Sequence, residues 1–390
     1  MIAIIGGGAA GLGAAIACGE RAIVWERNKI AGKKLLLSGA GQCNFTNANN
    51  REDFLAALTE FRNWLKPAFY SFDNMSFIKL LEESGCPVYI REDRKVFPQS
   101  LKASDVRDTL YNIARQRGAK FMWDSKIEYI EEKEGLFYLN TNSGAKIRAQ
   151  KVIIAAGGAA WSVTGSDGSS YRLASALGHK IHDPKPALAR IEIEDYAPFI
   201  CCAGLSLKAG LQLAKRSIWG ELLFTHNGLS GPLILDNSRK LHAGEIIQIR
   251  ICDCHDFLNL IQKHPKRKVS KLLQEYRLPQ RLTETIMKNM QISSDLIAAE
   301  LSASKRKQLL ATLKNHPFKI KAIEGLCSSM SDWGGVDLKE VDSKTMQSRI
   351  LKNVFFAGES LAYSLPSGGY SIQMAVSTGY LAGINAVNSI

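Results

Sequence analysis

An α/β fold built on a Rossmann-type domain is what this sequence predicts, and three observations predict it. The chain opens with an apolar strand, "MIAIIG", that runs into Gly6-x-Gly8-x-x-Gly11 and an Ala-rich helix. A second strand, "AIVWE", ends on Glu26, 20 residues after Gly6. Strand-to-glycine elements return twice, as "KVIIAAGG" at 151–158 and "NVFFAGE" at 353–359.

Each part of the opening unit has a physical reason. The first glycine permits a tight turn, and the second lets a pyrophosphate approach the backbone. The third lets helix and strand pack closely, while the helix N-terminus stabilises the anion. A carboxylate ending the second strand is placed to hold the ribose hydroxyls of an adenosine. Alone the glycine motif is weak evidence; strand, turn, helix, strand and acid together predict a dinucleotide site.

The middle of the chain follows in order. From Phe54 to Gly118 the pattern reads as mostly helical, with Val106, Leu110, Ile113 and Ala114 on one face and Gly118 as the stop. "AKFMWDSKIEYI" and "LFYLNT" read as two strands around a turn at Gly135. Past Pro184 and Pro186 come short strand-like pieces, "LSLKAGLQLA", "ELLFTHNGLSG" and "EIIQIRICD", which predict a β-rich domain. Lys263 to about Leu313 reads as several helices, and the chain closes on an apolar helix, "GGYSIQMAVSTGYLAGINAV". Both ends therefore build one discontinuous domain. The expected divisions are 1–186 with 326–390, then 187–259 with 314–325, and a helical subdomain at 260–313.

Bulk properties exclude several classes. At 390 residues the chain exceeds one ordinary core, and 46% hydrophobic with 22% charged residues is a globular composition. No apolar run is long enough for a membrane span, and the N-terminus lacks the basic region of a signal peptide. Eight scattered cysteines form no disulfide framework, so a reduced, cytoplasmic setting is expected. Cys252-x-Cys254-His255 has no second ligand pair at zinc spacing and reads as structural thiols, with no metal expected.

The formal charge is +13, and its distribution is uneven. Lys263 to Lys321 carries fourteen Lys and Arg against four acids, a net of +10. Such a concentrated field favours polyanionic partners; a merely solvated helical surface is the bland alternative.

NAD and FAD share the opening fingerprint. FAD is long enough to need contacts at both ends of the chain, whereas an NAD domain would end near residue 180. No second GxGxxG marks a separate nicotinamide domain, so NAD(P)H enters only as a diffusing electron donor.

The chain resembles the BaiN/aminoacetone-oxidase-like family of bacterial FAD flavoproteins across nearly its whole length. The matching segments are GGGAAGL at 6–12, GKKLLLSGAGQCNFTN at 32–47, VFPQSLKASDV at 96–106 and AAGG with the following TGSDG. ELLFTHNGLSGPLIL at 221–235, SKTMQS at 343–348 and FAGES with SGGYSIQ at 356–373 agree too. The resemblance implies a glutathione-reductase-like FAD domain, an inserted β-barrel-like domain, and a helical subdomain within the insert. It implies cofactor contacts from Gly6, Gly8, Ala10, Gly11, Glu26, Arg27, Ile127, Ala156, Gly157, Gly358 and Glu359. Lys33 and Lys34 would lie near phosphates, and Ser38, Gly39 and Gly41 would give the flavin ring an unhindered backbone, with Cys43 and Asn44 beside it. Gly369, Tyr370 and Ile372 would meet the pyrimidine side. Gln42 stands where the family usually has Arg, and Ser371 where it usually has Asn.

Two residues are catalytic candidates. The paired cysteines of glutathione reductase are absent, so Cys43 is either a proton donor or a small packed residue, and an apolar site that raises its pKa favours packing. His226 either delivers a proton near the flavin or orders its own loop. The first substrate expectation is a uracil base in ribosomal RNA, reduced to dihydrouridine, with Lys266, Arg267 and Lys268 of the basic helices on phosphates. The others are a small-molecule oxidase or reductase acting on amines or conjugated ketones, and a flavoprotein without turnover. No membrane partner is expected, and the oligomeric state stays open.

Overall fold

The computed structural model describes residues 1–213 and 216–388. They form two compact units, Met1–Ala187 with Leu326–Ile390, and Leu188–Gly325.

The first unit is built on a five-stranded parallel sheet in the order Val354–Phe356, Lys151–Ile154, Ile2–Ile5, Ala22–Trp25, Lys120–Met122. Ile2 stands opposite both Lys151 and Ala22, and Val152 opposite Val354, so strands from the start, middle and end of the chain lie side by side. Every residue of Ile2–Ile5 is buried, as a central parallel strand covered on both faces requires. The opening helix, Ala9–Cys18, packs against the closing helix, Tyr370–Asn388, through small residues. A Cβ on Gly379 would fall 1.9 Å from the Ala10 carbonyl oxygen, so only glycine allows this crossing. On the helix Ala103–Gln116 the face expected from spacing is the buried one: Val106, Leu110, Ile113 and Ala114.

One expectation for this unit gains a detail and one needs correction. The span 54–118 is mostly helical, as expected, but Val88–Ile90 and Lys95–Pro98 within it form a hairpin that pairs on with Thr46–Asn47. Its β-branched and aromatic residues sit opposite one another, Tyr89 against Phe97 and Ile90 against Val96, and Arg94 takes the left-handed turn position at φ +66°. The stretch "AKFMWDSKIEYI" is not one strand. Lys120–Met122 joins the parallel sheet, the chain turns through Asp124 at φ +52°, and Ile127–Lys133 starts a separate three-stranded antiparallel sheet.

The second unit is a closed six-stranded barrel carrying a group of helices. Its strands run in the order Ile191–Ile193, Gly228–Ser230, Arg216–Phe224, Ser206–Leu213, Ile246–Arg250, His316–Ile323. Closure leaves no open sheet edge. Leu211, Leu222, Phe224 and Ile249 from the barrel share one apolar core with Leu272, Leu273, Ile286 and Leu309 from the helices. Among the described residues no helix is long and apolar enough to cross a membrane.

Candidate functional site

In open parallel sheets ligands bind beyond the carboxyl ends of the strands, where the order reverses. Here that point lies between Ile2–Ile5 and Lys151–Ile154, and the glycines of the first turn sit on it. A Cβ on Gly6 (φ +100°) would meet the Ala155 carbonyl oxygen at 2.6 Å, and one on Gly11 would meet that of Gly6 at 1.9 Å. Gly8 is different: nothing lies within 4 Å of its Cβ position. Gly6 and Gly11 are needed by the protein itself, whereas a side chain at Gly8 would meet open space. These residues fit a dinucleotide pyrophosphate.

Glu26 is buried and already bonded. Its Oε2 accepts the Gly7 N–H at 2.7 Å, and its Oε1 accepts from Asn28 N at 2.8 Å and Nδ2 at 2.7 Å. The acid expected to hold a ribose thus also clamps the glycine turn. Arg27 donates to the Gly165 carbonyl at 2.9 Å and pairs with Asp167 at 2.8 Å; Ile127 is buried at the start of its strand. Lys34 pairs with Glu359 at 2.8 Å across 325 residues of sequence, which joins two expected contacts to each other. Lys33 is exposed.

The segment after Lys34 is a kinked turn, with left-handed residues at Gly39 (φ +55°), Ala40 (φ +54°), Gly41 (φ +87°) and Cys43 (φ +58°). For Ala40 and Cys43 this conformation costs roughly 1–2 kcal/mol each, a strain that concentrates at functional sites. Ser38 Oγ donates to the Leu35 carbonyl at 2.6 Å, and the Cys43 N–H to that of Ser38 at 2.9 Å. Cys43 is 0% exposed, and burial pushes its thiol up to about 12, so Sγ keeps its proton at neutral pH. Asn44 Nδ2 donates to the Thr46 and Val96 carbonyls at 3.0 and 3.1 Å. Gly369 (φ +92°) lies so close that a Cβ there would meet the Thr46 carbonyl oxygen at 2.6 Å. Tyr370 follows, its Oη accepting from Asn49 Nδ2 at 3.3 Å, with Ile372 half-buried two residues on. Ala156 and Gly157 (φ +78°) follow the strand Lys151–Ile154, and Gly358 (φ +66°) donates its N–H to Thr378 Oγ1 at 3.0 Å.

The first unit thus gathers the chain's opening turn, residues 33–44, 156–157, 358–359 and 369–372. His226 belongs to the second unit, exposed on the turn between two barrel strands. The other candidates there are Lys266, Arg267 and Lys268. Arg267 pairs with Glu275 and Lys268 with Asp295, while Lys266 has no ion pair among the described residues.

Sequence reasoning missed one group entirely. Asp332 is 2% exposed, its Oδ2 accepting from the Ala159 N–H and from Tyr171 Oη, both at 2.7 Å. Burial and the neighbouring Glu359 carboxylate push its carboxyl up from the ordinary range. Ser331 Oγ donates to Glu359 Oε1 at 2.8 Å, so the buried Ser331, Asp332 and Tyr171 form one polar cluster with the half-buried Lys34 and Glu359. The only signal in the sequence was an acid inside the otherwise strand-like "SDWGGV".

Comparison with known proteins agrees with this architecture. The chain is 29% identical to the ribosomal RNA dihydrouridine synthase of Haemophilus influenzae, over 98% of this chain and 97% of that one. It is 30% identical to the 3-dehydro-bile acid delta(4,6)-reductase of Clostridium scindens, over 98% of each. Among solved structures, 3-ketosteroid delta1-dehydrogenase from Sterolibacterium denitrificans shares the fold, with a TM-score of 0.53 at 12% identity, over 100% of this chain and 99% of that one. The model of the HI0933-like protein Rossmann domain matches residues 1–385. With that match, the chain belongs to the HI0933-like family and is an FAD-dependent oxidoreductase.

Proposed function

We propose that this flavoenzyme reduces a uracil base in ribosomal RNA to dihydrouridine. The observation that carries the reading is the state of the basic helices. Of the fourteen cations between Lys263 and Lys321, only Arg267, Lys268, Lys319 and Lys321 form ion pairs among the described residues. Lys266, Lys271 and Lys307 are exposed and have no ion pair there, Lys271 donating only to the Gln274 amide oxygen. Charges that the fold does not neutralise are available to phosphates, and each contact releases counterions. The name of the Haemophilus relative supports the same substrate.

The residues that would hold FAD are those of the sheet edge: the Gly8 turn for the pyrophosphate, Glu26 for the ribose, and Ser38–Asn44 with Gly369–Tyr370 for the ring. Bound there, FAD supplies the hydride that saturates an electron-poor C=C bond. The second requirement is a proton, and its donor has to touch the substrate. Cys43 is 0% exposed and assigned to packing, whereas His226 is exposed and is the better candidate.

A triple variant, Lys266→Glu with Lys271→Glu and Lys307→Glu, tests this. It should lose salt-dependent RNA binding and dihydrouridine formation while keeping its FAD and its reducibility by dithionite. A wild-type protein that neither binds ribosomal RNA nor forms dihydrouridine in it would end the reading. The second reading, reduction of a conjugated ketone in a small molecule, draws on the name of the Clostridium relative; the triple variant would then turn over normally.

A further inference from the structure

A cavity of about 400 Å³ opens in the first unit where the strand Thr46–Asn47 gives way to the helix Arg51–Ala57. Its lining includes Asn49, Asn50, Arg51, Asp53 and Arg94, and its volume is within the range of small-ligand sites. Arg51 commits Nε (3.1 Å) and Nη2 (2.8 Å) to Asp73. Asp53 Oδ2 accepts from Asn50 Nδ2 at 2.7 Å. Arg94, at the tip of the hairpin, has no ion pair among the described residues. The cavity therefore offers the Arg94 guanidinium without an ion pair among the described residues, with the Asp53 carboxylate turned onto the Asn50 amide beside it.

Two neighbours say what kind of anion suits it. Tyr70 is 46% exposed, and the Arg51 guanidinium and Lys66 ammonium lie 5.7 and 5.6 Å from its ring centroid. An exposed ring flanked by cations is the surface on which unpaired bases stack. Asn49, also in the lining, donates to Tyr370 Oη, which ties the cavity wall to the segment that would meet the flavin ring.

We infer that the cavity holds a backbone phosphate of single-stranded RNA next to the target base, with Arg94 as its counter-charge and Tyr70 stacking a flanking base. This rests on the RNA reading above and gives it a positioning site on the first unit, separate from the basic helices. An adjacent phosphate fixed there would set which base of the strand reaches the flavin segment.

The test uses the FAD-loaded full chain and a short fluorescein-labelled single-stranded oligouridylate, titrated at several salt concentrations. Arg94→Glu should weaken binding about tenfold and lower the log–log salt slope by about 0.7, the value for one phosphate contact on a single strand. Tyr70→Ala should weaken binding by a similar factor with the slope unchanged, because stacking releases no counterions. Flavin absorbance should match wild type in both. If the wild-type protein binds with steep salt dependence and both variants bind equally well, the cavity site is wrong and the RNA reading stands. If the wild-type protein does not bind the RNA at any salt concentration, both fall together.

Discussion

At the carboxyl edge of the parallel sheet, charged side chains are used on one another: Lys34 on Glu359, Arg27 on Asp167, with Asp332 enclosed beside them. What remains to meet a ligand is backbone, above all the open position over Gly8. In the basic helices of the second unit the proportions reverse. Most cations there are unpaired among the described residues, and the helix backbones are occupied with their own hydrogen bonds. On the function proposed above, the first region would hold a single anion at close range, and the second would offer charge to a polyanion. A backbone site tolerates almost no change at its glycines, while a charge site loses affinity by increments.

The contrast breaks or sharpens at three places. The largest effect belongs to Gly8→Val. Space for the side chain exists within the protein, so the chain should fold yet purify without its yellow colour; a full complement of FAD would refute the assignment of that space. Gly6→Val should behave differently and fail to fold, because its side chain meets the Ala155 backbone.

Acid acts next on a buried group in each unit. His316, edge-on to Phe199 and Phe318, is pushed down to about 4 by burial. The unfolded chain binds that proton near 6.5, so the stabilisation is intact above this pH and declines as pH falls toward 4. Between pH 7 and pH 5 the second unit should lose about 2 kcal/mol, and His316→Phe should abolish this slope in urea melts. Asp332 has the opposite sign, since its carboxyl is raised: its ionised form burdens the first unit at neutral pH and is relieved by acid. An identical pH slope in His316→Phe and wild type would remove the contrast.

Cys43→Ser is the smallest change. A hydroxyl in that closed position should cost about 1–2 kcal/mol of stability, read as a lower melting temperature, with FAD content and turnover within about twofold of wild type. A hundredfold fall in turnover with FAD retained would instead make Cys43 the proton donor.

What the sequence disclosed followed the same division. The glycine turn and Glu26 were legible because their spacing is fixed within one strand–helix–strand unit. The excess of charge at 263–321 was legible as a number, but not which cations are unpaired, since Glu275 and Asp295 choose Arg267 and Lys268 only after folding. The hairpin at 88–98 was missed because its strands are three and four residues long, too short for an alternation to stand out between helices. That Lys34, Glu359 and Asp332 meet had no local signature beyond the acid in "SDWGGV": they are distant in sequence, and burial of an acid is a property of its neighbours.

That strand order also sets a timetable for synthesis. Ile2–Ile5 pairs early with Ala22–Trp25, but its other edge is covered only when Lys151–Ile154 has been made, and that strand in turn waits for Val354–Phe356, almost the last of the chain. The barrel, by contrast, closes with residues from 191 to 323 alone. A chain emerging N-terminus first can therefore complete its insert while the surrounding unit still has an unpaired edge, and long-range pairing of this kind is slow and exposed to misassembly. On this order FAD loading would follow translation, and a nascent chain stalled before residue 354 would hold a finished barrel and an unfinished parallel sheet.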